Sequence, residues 1–108
     1  MGIVKSIAAM SLVICATAHA EFKDGNKLLS DMNNSHSTQM NAIGYVTGVA
    51  DTLSGVTFCA PPSITAGQIY DMTKQYLEQN PANRHNSADR IIGLILRVTW
   101  PCSRGQAL

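Results

Sequence analysis

The sequence predicts an all-α protein, a compact four-helix domain with one disulfide that follows a signal peptide. Apolar residues recur at helical spacing in several segments of the chain. Prolines and polar clusters separate these segments, and both are typical of the ends of helices. No two segments show the alternation expected of paired strands, so we expect helices to form the whole core.

Residues 1–20 have the organisation of a signal peptide. Lys5 supplies a positive charge ahead of an apolar run at residues 7–16, and small residues lead up to a cleavage site near Ala20. Cleavage there would leave residues 21–108, which is enough for one small domain. We therefore expect the protein to be exported.

Two other interpretations of the N-terminus are weaker. An uncleaved membrane anchor would need a longer apolar run to span a bilayer. Lipidation at Cys15 would need a small residue before the cysteine, where the chain has the bulky Ile14.

Two helices are predicted in the first half of the mature domain. The first covers about residues 27–32, with Asp24 or Asn26 as its N-cap. A polar break at residues 33–37 separates it from the second, at about residues 38–55.

The second helix contains the glycine pair Gly44 and Gly48 at G-x-x-x-G spacing. In a membrane span this spacing would indicate a dimer interface, but the segment is too polar to span a membrane. We interpret the pair as a smooth helix face against which another backbone can pack closely. Gly55 is suited to the position just after the helix end.

The third helix is predicted at about residues 66–79. Prolines 61 and 62 end the preceding structure, because a proline ring fixes φ and supplies no backbone donor. Thr65 and Gln68 then have the T-x-x-Q spacing of a capping box.

The fourth helix is predicted to begin after Asn86 or Ser87 and to end before Pro101. It is apolar on nearly all sides, so we expect it to be the central and most buried element. Arg90 and Arg97 interrupt its apolar surface and lie on one face, because they are seven residues apart.

Cys59 and Cys102 are the only cysteines outside the predicted signal peptide, and in an exported domain they indicate one disulfide. A crosslink that encloses about 43 residues stabilises a fold by about 4 kcal/mol in the loop-entropy model. A catalytic or metal-binding thiol is the weaker alternative, because the chain has no C-x-x-C spacing.

The net charge of the mature domain gives no indication of a nucleic-acid or membrane partner. Without Lys5, seven basic residues balance seven acidic ones, so the net charge of the mature domain is about zero. That balance does not suggest a nucleic-acid interface or a polybasic membrane surface.

We predict no catalytic residue, no metal site and no cofactor. His36 and His85 fall in predicted loops and lack the spacing of metal ligands. Asp51, Asp71 and Asp89 could serve general acid–base chemistry, but surface charges on helices are the more common role for such residues.

A polar loop at residues 80–86 is the one candidate partner-binding segment. Within it, Asn83, Arg84 and His85 form a cluster of hydrogen-bonding and charged side chains. Loops on rigid helical scaffolds commonly carry binding function. The alternative is an ordinary connection between two helices.

Several motifs occur in an order and at a spacing that resembles the Rap/Tai group of periplasmic immunity proteins, which are associated with amidase effectors of type VI secretion. The resemblance covers about residues 28–102, nearly the whole mature domain. The motifs are G-Y-x-x-G-x-x-D from Gly44, F-C-x-P from Phe58, T-x-G-Q from Thr65, and P-C at residues 101–102.

The resemblance implies that residues 21–108 form a small helical immunity domain, often dimeric, that binds a peptidoglycan amidase and blocks its active site. Cys59 and Cys102 match two cysteines of the group. Two further cysteines of the group are replaced here, one by Met32 or Asp31 and the other by Ala42.

Two alternatives remain open at this point. The protein could be a non-catalytic periplasmic structural or binding module, including a homodimer through the Gly44 and Gly48 face. A hydrolase would require a free, reactive Cys59. In neither case do we expect nucleic acid or, after signal cleavage, a membrane as a partner.

Overall fold

The computed structural model describes residues 22–103, and the predicted signal peptide and the end of the C-terminal tail lie outside them. Within this range the chain forms four α-helices, a short 3₁₀ turn at Pro81–Asn83 and no β-sheet, which confirms the all-α prediction. The helices are α1 (Gly25–Met32), α2 (His36–Leu53), α3 (Ala66–Gln79) and α4 (Ala88–Thr99).

Local capping chemistry explains where two of the four helices, α1 and α3, begin. Asp24 is the N-cap of α1, and its Oδ1 accepts a hydrogen bond from the backbone N–H of Lys27 at 2.7 Å. At α3 the predicted capping box is present. Thr65 Oγ1 accepts from the N–H of Gln68 at 3.2 Å, and Gln68 Oε1 accepts from the N–H of Thr65 at 2.8 Å.

Helix α2 differs slightly from its prediction, since it begins at His36 and ends at Leu53. The first polar residues after Ser35 join the helix, with the Ser35 hydroxyl 3.0 Å from that of Thr38. Gly55 follows the helix with a positive φ of 77°, a conformation that only glycine adopts readily.

The expectation that the fourth helix is the most buried element is wrong. All four helices contact one another, and α2 has the most extensive contacts with the other three, whereas α1 is the most buried helix, with five of its eight residues buried. Helix α4 buries only one side, whereas Leu94 and Val98 are 42% and 70% exposed. An apolar outer surface can be left uncovered because none of the other three helices packs on that side of α4. The buried side of α4 consists of Ala88, Ile91, Ile92 and Leu96.

The predicted disulfide between Cys59 and Cys102 is present, with an S–S distance of 2.01 Å and a Cα–Cα distance of 4.8 Å. It joins the segment between α2 and α3 to the chain just after α4. The backbone supports the same junction, because the N–H of Cys59 donates to the carbonyl of Trp100 at 2.9 Å. Phe58, next to the disulfide, is buried in the core.

The start of α1 is held by the loop before α4. The N–H of Gly25 donates to the carbonyl of Asn86 at 3.0 Å, and the N–H of Asn26 donates to that of Arg84 at 2.9 Å. These bonds satisfy helix N–H groups that have no partner within α1. Gly25 is required here, because a Cβ would lie 2.9 Å from the carbonyl oxygen of Arg84.

A buried carboxylate lies on the inner side of α1. Asp31 is only 4% exposed. Its carboxylate forms ion pairs with Lys23 Nζ at 2.8 Å and with Lys27 Nζ at 3.2 Å. Lys23 Nζ also lies 4.9 Å from the ring centroid of Tyr45 on α2, within the range of a cation–π contact. The leader before α1 is therefore attached to both helices.

Among residues 22–103, no helix is long and apolar enough to cross a membrane.

Candidate functional site

An open surface groove of about 680 Å³ lies between helices α2 and α4. We call it the α2–α4 groove. Its volume lies within the range of ligand-binding clefts. It is lined by Gly44, Tyr45, Gly48, Val49, Thr52, Leu53, Thr57, Asp89, Arg90, Gly93, Leu94 and Arg97.

The three glycines that line the α2–α4 groove differ in what a side chain at their positions would meet. A Cβ on Gly93 would lie 3.3 Å from Leu53 Cδ1, so this glycine lets α4 approach α2 closely. A Cβ on Gly44 or Gly48 would meet nothing within 4 Å. An interior glycine costs a helix about 1 kcal/mol relative to alanine. The packing of the described residues offers no compensation for that cost at these two positions.

The charged residues of the groove lie on α4. The side chains of Arg90 and Arg97 are both exposed, and neither side chain forms an ion pair or a hydrogen bond with another described residue. Asp89 lies beside them, and its Oδ1 accepts a hydrogen bond from the Ser87 hydroxyl at 2.7 Å. Burial raises the pKa of the Tyr45 phenol, and the negative charge of Asp89 raises that pKa further.

A second groove, of about 670 Å³, adjoins the first and shares Asp89, Arg90 and Leu94 with it. We call it the loop groove, because residues of the loop before α4 line one side. It is lined by Phe22, Tyr76, Asn83, His85, Asn86, Ser87, Asp89, Arg90, Ile91 and Leu94. Phe22 is 85% exposed and adds apolar surface to this groove.

The structure separates the three predicted partner-binding residues. Asn83 and His85 are exposed and line the loop groove, and Asn83 Nδ2 donates to the Tyr76 hydroxyl at 3.3 Å. Arg84 is half-buried and lines neither groove. Its Nε is buried without a hydrogen-bond partner among the described residues, and its carbonyl holds the start of α1.

The histidines and cysteines of residues 22–103 do not form a metal centre. His36 and His85 are exposed, and both cysteines are joined in the disulfide. No three side chains of the metal-binding types His, Cys, Asp and Glu come together within residues 22–103.

Sequence reasoning did not predict the α2–α4 groove, although it identified two of its parts. The pair Gly44 and Gly48 and the pair Arg90 and Arg97 were each visible as patterns on one helix. That the two pairs face the same groove depends on how α2 and α4 pack, which no local pattern shows. The exposure of Leu94 was missed for the same reason.

The model of a protein family described as Rap1a immunity proteins matches residues 24–102. The chain belongs to this immunity protein family. The match spans all four helices, both cysteines of the disulfide and both grooves except Phe22. It confirms the resemblance seen in the motifs.

A comparison with curated proteins gave no match. Membership of the Rap1a immunity family implies that the chain binds a partner effector protein. The α2–α4 groove and the loop groove are two adjoining concave surfaces of the described residues.

Proposed function

We propose that this protein is a periplasmic immunity protein that binds and inhibits a peptidoglycan amidase effector of a type VI secretion system. The family match over residues 24–102 is the observation that carries this proposal. Immunity families are generally non-catalytic, so the protein would act by covering the active site of the effector.

The architecture suits a rigid binding scaffold. The disulfide between Cys59 and Cys102 connects the middle of the domain to its C-terminal end, and a single disulfide suits a small domain in an oxidising compartment. We propose that the predicted signal peptide, residues 1–20, directs the protein to the periplasm, with cleavage near Ala20.

Within this function, we assign the loop before α4 a direct role in contacting the effector. Asn83 and His85 are exposed at the edge of the loop groove, where they can donate and accept hydrogen bonds across an interface. Arg84 has a structural role in the loop, because its carbonyl accepts a hydrogen bond from the N–H of Asn26 and so attaches the loop to the start of α1.

The test is an inhibition assay with the full chain exported to the periplasm together with a periplasm-directed peptidoglycan amidase encoded beside it. We expect cells that produce both proteins to survive and cells that produce only the amidase to lyse. Purified exported protein in excess should abolish peptidoglycan hydrolysis in vitro. Continued hydrolysis despite a stable complex would contradict the inhibitory role.

Substitutions in the loop sharpen the test. The variant Asn83→Ala with His85→Ala should weaken inhibition at least tenfold, because both side chains lie at the proposed interface. His36→Ala is the matched control, since His36 is an exposed histidine that lines neither groove. Equal inhibition by both variants would remove the loop from the interface.

The alternative is a non-catalytic periplasmic structural or binding module, with a homodimer through the Gly44 and Gly48 face as one form of it. The open space beside both glycines is the observation that favours a partner on this face. The same assay separates the two functions, because such a module would leave every amidase fully active.

A further inference from the structure

The α2–α4 groove has an apolar floor and an outer rim with unpaired positive charge. Val49 and Leu53 of α2, both half-buried, contribute apolar side chains to the floor, and Leu94 of α4 is 42% exposed at one wall. Arg90 and Arg97 form the rim, without an ion pair to another described residue. An exposed apolar groove beside unpaired charges is typical of a protein-binding surface.

The spacing of the two arginines specifies the shape of an occupant. Seven residues of α-helix rise about 10 Å, so Arg90 and Arg97 are separated by about two turns along one side of the groove. Two carboxylates seven residues apart on an adjacent helix would have the same separation. Arginine pairs with carboxylates in a bidentate geometry, which strengthens such a match.

The glycines on the opposite wall allow a helix to come close. Gly44 and Gly48 are one turn apart on α2, and neither is needed for packing among the described residues. Without Cβ atoms at these positions, another helix can approach the α2 backbone closely. Their placement beside an exposed apolar wall points to the backbone of a second molecule.

From these features we propose that the α2–α4 groove binds one amphipathic helix of a different protein, with an apolar stripe flanked by acidic residues seven positions apart. The inference rests on the proposed function in one respect, which is that the helix belongs to the effector. Recognition then combines helix-in-groove packing on Gly44, Gly48 and Leu94 with ion pairs to Arg90 and Arg97.

A second copy of this chain fits the groove less well. If two copies met through this groove about a twofold axis, each would bring two arginines and only Asp89 as a carboxylate, so like charges would face one another. Helix α3 does carry Asp71 and Glu78 seven residues apart, but Lys74 and Gln75 lie between them where the groove requires apolar side chains. Charge and polarity therefore favour a different protein.

The experiment uses two synthetic 18-residue peptides that a side-chain crosslink holds in a helical conformation. One carries a leucine–alanine stripe flanked by glutamates seven residues apart, and its twin has lysines in place of the glutamates. We expect the glutamate peptide to bind the exported protein at least tenfold more tightly than the lysine twin, with amide NMR shifts concentrated at Gly44, Gly48 and Gly93. The preference should weaken as salt is added.

Substitutions test the two parts of the groove separately. Gly48→Leu fills the open space beside the α2 wall and should weaken binding of the glutamate peptide at least tenfold. The control is Gly67→Leu, at an exposed position in the first turn of α3, where a Cβ would meet only Thr65 Oγ1, at 3.9 Å. Leucine is the better helix former, so loss of binding in Gly48→Leu would not arise from a weakened helix. Arg90→Glu with Arg97→Glu should reverse the preference in favour of the lysine twin.

Several results would overturn the proposal: equal binding of the two peptides, no binding at millimolar concentration, or unchanged binding by Gly48→Leu. A dimer in sedimentation analysis that Gly48→Leu abolishes would assign the groove to a second copy and so contradict it. The proposed function can fail separately. If the protein binds the glutamate peptide as expected but inhibits no amidase, the groove proposal stands and the immunity function is contradicted. If Gly48→Leu inhibits the amidase fully, the effector docks elsewhere and this inference falls.

Discussion

The two ends of the domain are held by different chemistry. At one end, the disulfide between Cys59 and Cys102 attaches the segment after α2 covalently to the chain after α4. At the other end, α1 is attached only by non-covalent contacts, which include the buried Asp31 and its two lysine partners. The resemblance places further cysteines at Met32 or Asp31 and at Ala42, and these residues are only 1%, 4% and 0% exposed.

The difference shows that a small domain can hold its first helix without a second disulfide. Apolar burial of Met32 and Ala42 and the ion pairs of Asp31 act together at the end where no disulfide is found among the described residues. The two ends should therefore respond to different treatments. A reductant should weaken the disulfide end, whereas acid should weaken the end that contains α1.

The largest expected effect is the loss of the disulfide. Cys59→Ser with Cys102→Ser should lower the free energy of unfolding by about 4 kcal/mol, because the unfolded chain regains the entropy of a 43-residue loop. Urea denaturation of the wild-type protein and the variant measures the difference. Reduction of the wild type should reproduce it, and a loss below about 1 kcal/mol would show that packing alone holds this end.

The next effect concerns Gly25, at the non-covalent end. In Gly25→Ala the new Cβ would lie 2.8 Å from Ile91 Cδ1 and 2.9 Å from the carbonyl oxygen of Arg84, and the backbone atom cannot move aside easily. We expect a loss of about 1–3 kcal/mol from overpacking. Gly67→Ala is the control and should be neutral or slightly stabilising, since its surroundings are open. Equal melting temperatures for the two variants would contradict the close approach.

The comparison of the two ends also shows which parts of the structure can be predicted from sequence. The capping box of Thr65 and Gln68 is a local interaction, so residue types and spacing were sufficient to predict it. The N-cap of α1 was narrowed to Asp24 or Asn26, and the structure has Asp24. The cysteine pair followed from the number of cysteines. The outer face of α4 was mispredicted, because a run of apolar residues shows what a helix prefers to bury and not which neighbours are available. Burial of Asp31 was not foreseen either, since Lys23 reaches it from the leader, eight residues earlier.

The candidate site was predicted even less completely, for a related reason. Asn83 and His85 were identified from the composition of one loop, and they do line a groove. The α2–α4 groove forms from residues on two helices about forty positions apart, such as Gly48 and Arg90. Only the packing of those helices decides that they share one surface.

A smaller effect is the response of α1 to acid. Burial raises the pKa of Asp31, but hydrogen bonds and the positive charges of Lys23 and Lys27 outweigh burial and hold that pKa below its usual value. Since the folded-state pKa is the lower one, the ion pairs stabilise the fold above about pH 4, and this contribution is lost as pH falls through the folded pKa. Asp31→Asn should lower stability at pH 7 by about 1–2 kcal/mol, because one partner lysine stays largely hydrated. The gap between wild type and variant should narrow below pH 4, and a constant gap in urea denaturation at pH 3 and pH 7 would contradict this account.

The smallest expected effect distinguishes the two lysines that bind Asp31. Lys23 is 21% exposed, lies 2.8 Å from the carboxylate and also contacts the ring of Tyr45, so Lys23→Ala should cost about 1 kcal/mol. Lys27 is 65% exposed and 3.2 Å away, and an exposed i,i+4 pair contributes only about 0.3–0.5 kcal/mol. Each variant is the control for the other, because both remove one positive charge near the same carboxylate. A larger loss of stability in Lys27→Ala than in Lys23→Ala, measured by thermal unfolding, would contradict this order. It would mean that Asp31 contributes mainly through its i,i+4 ion pair within α1 and not by attaching the leader.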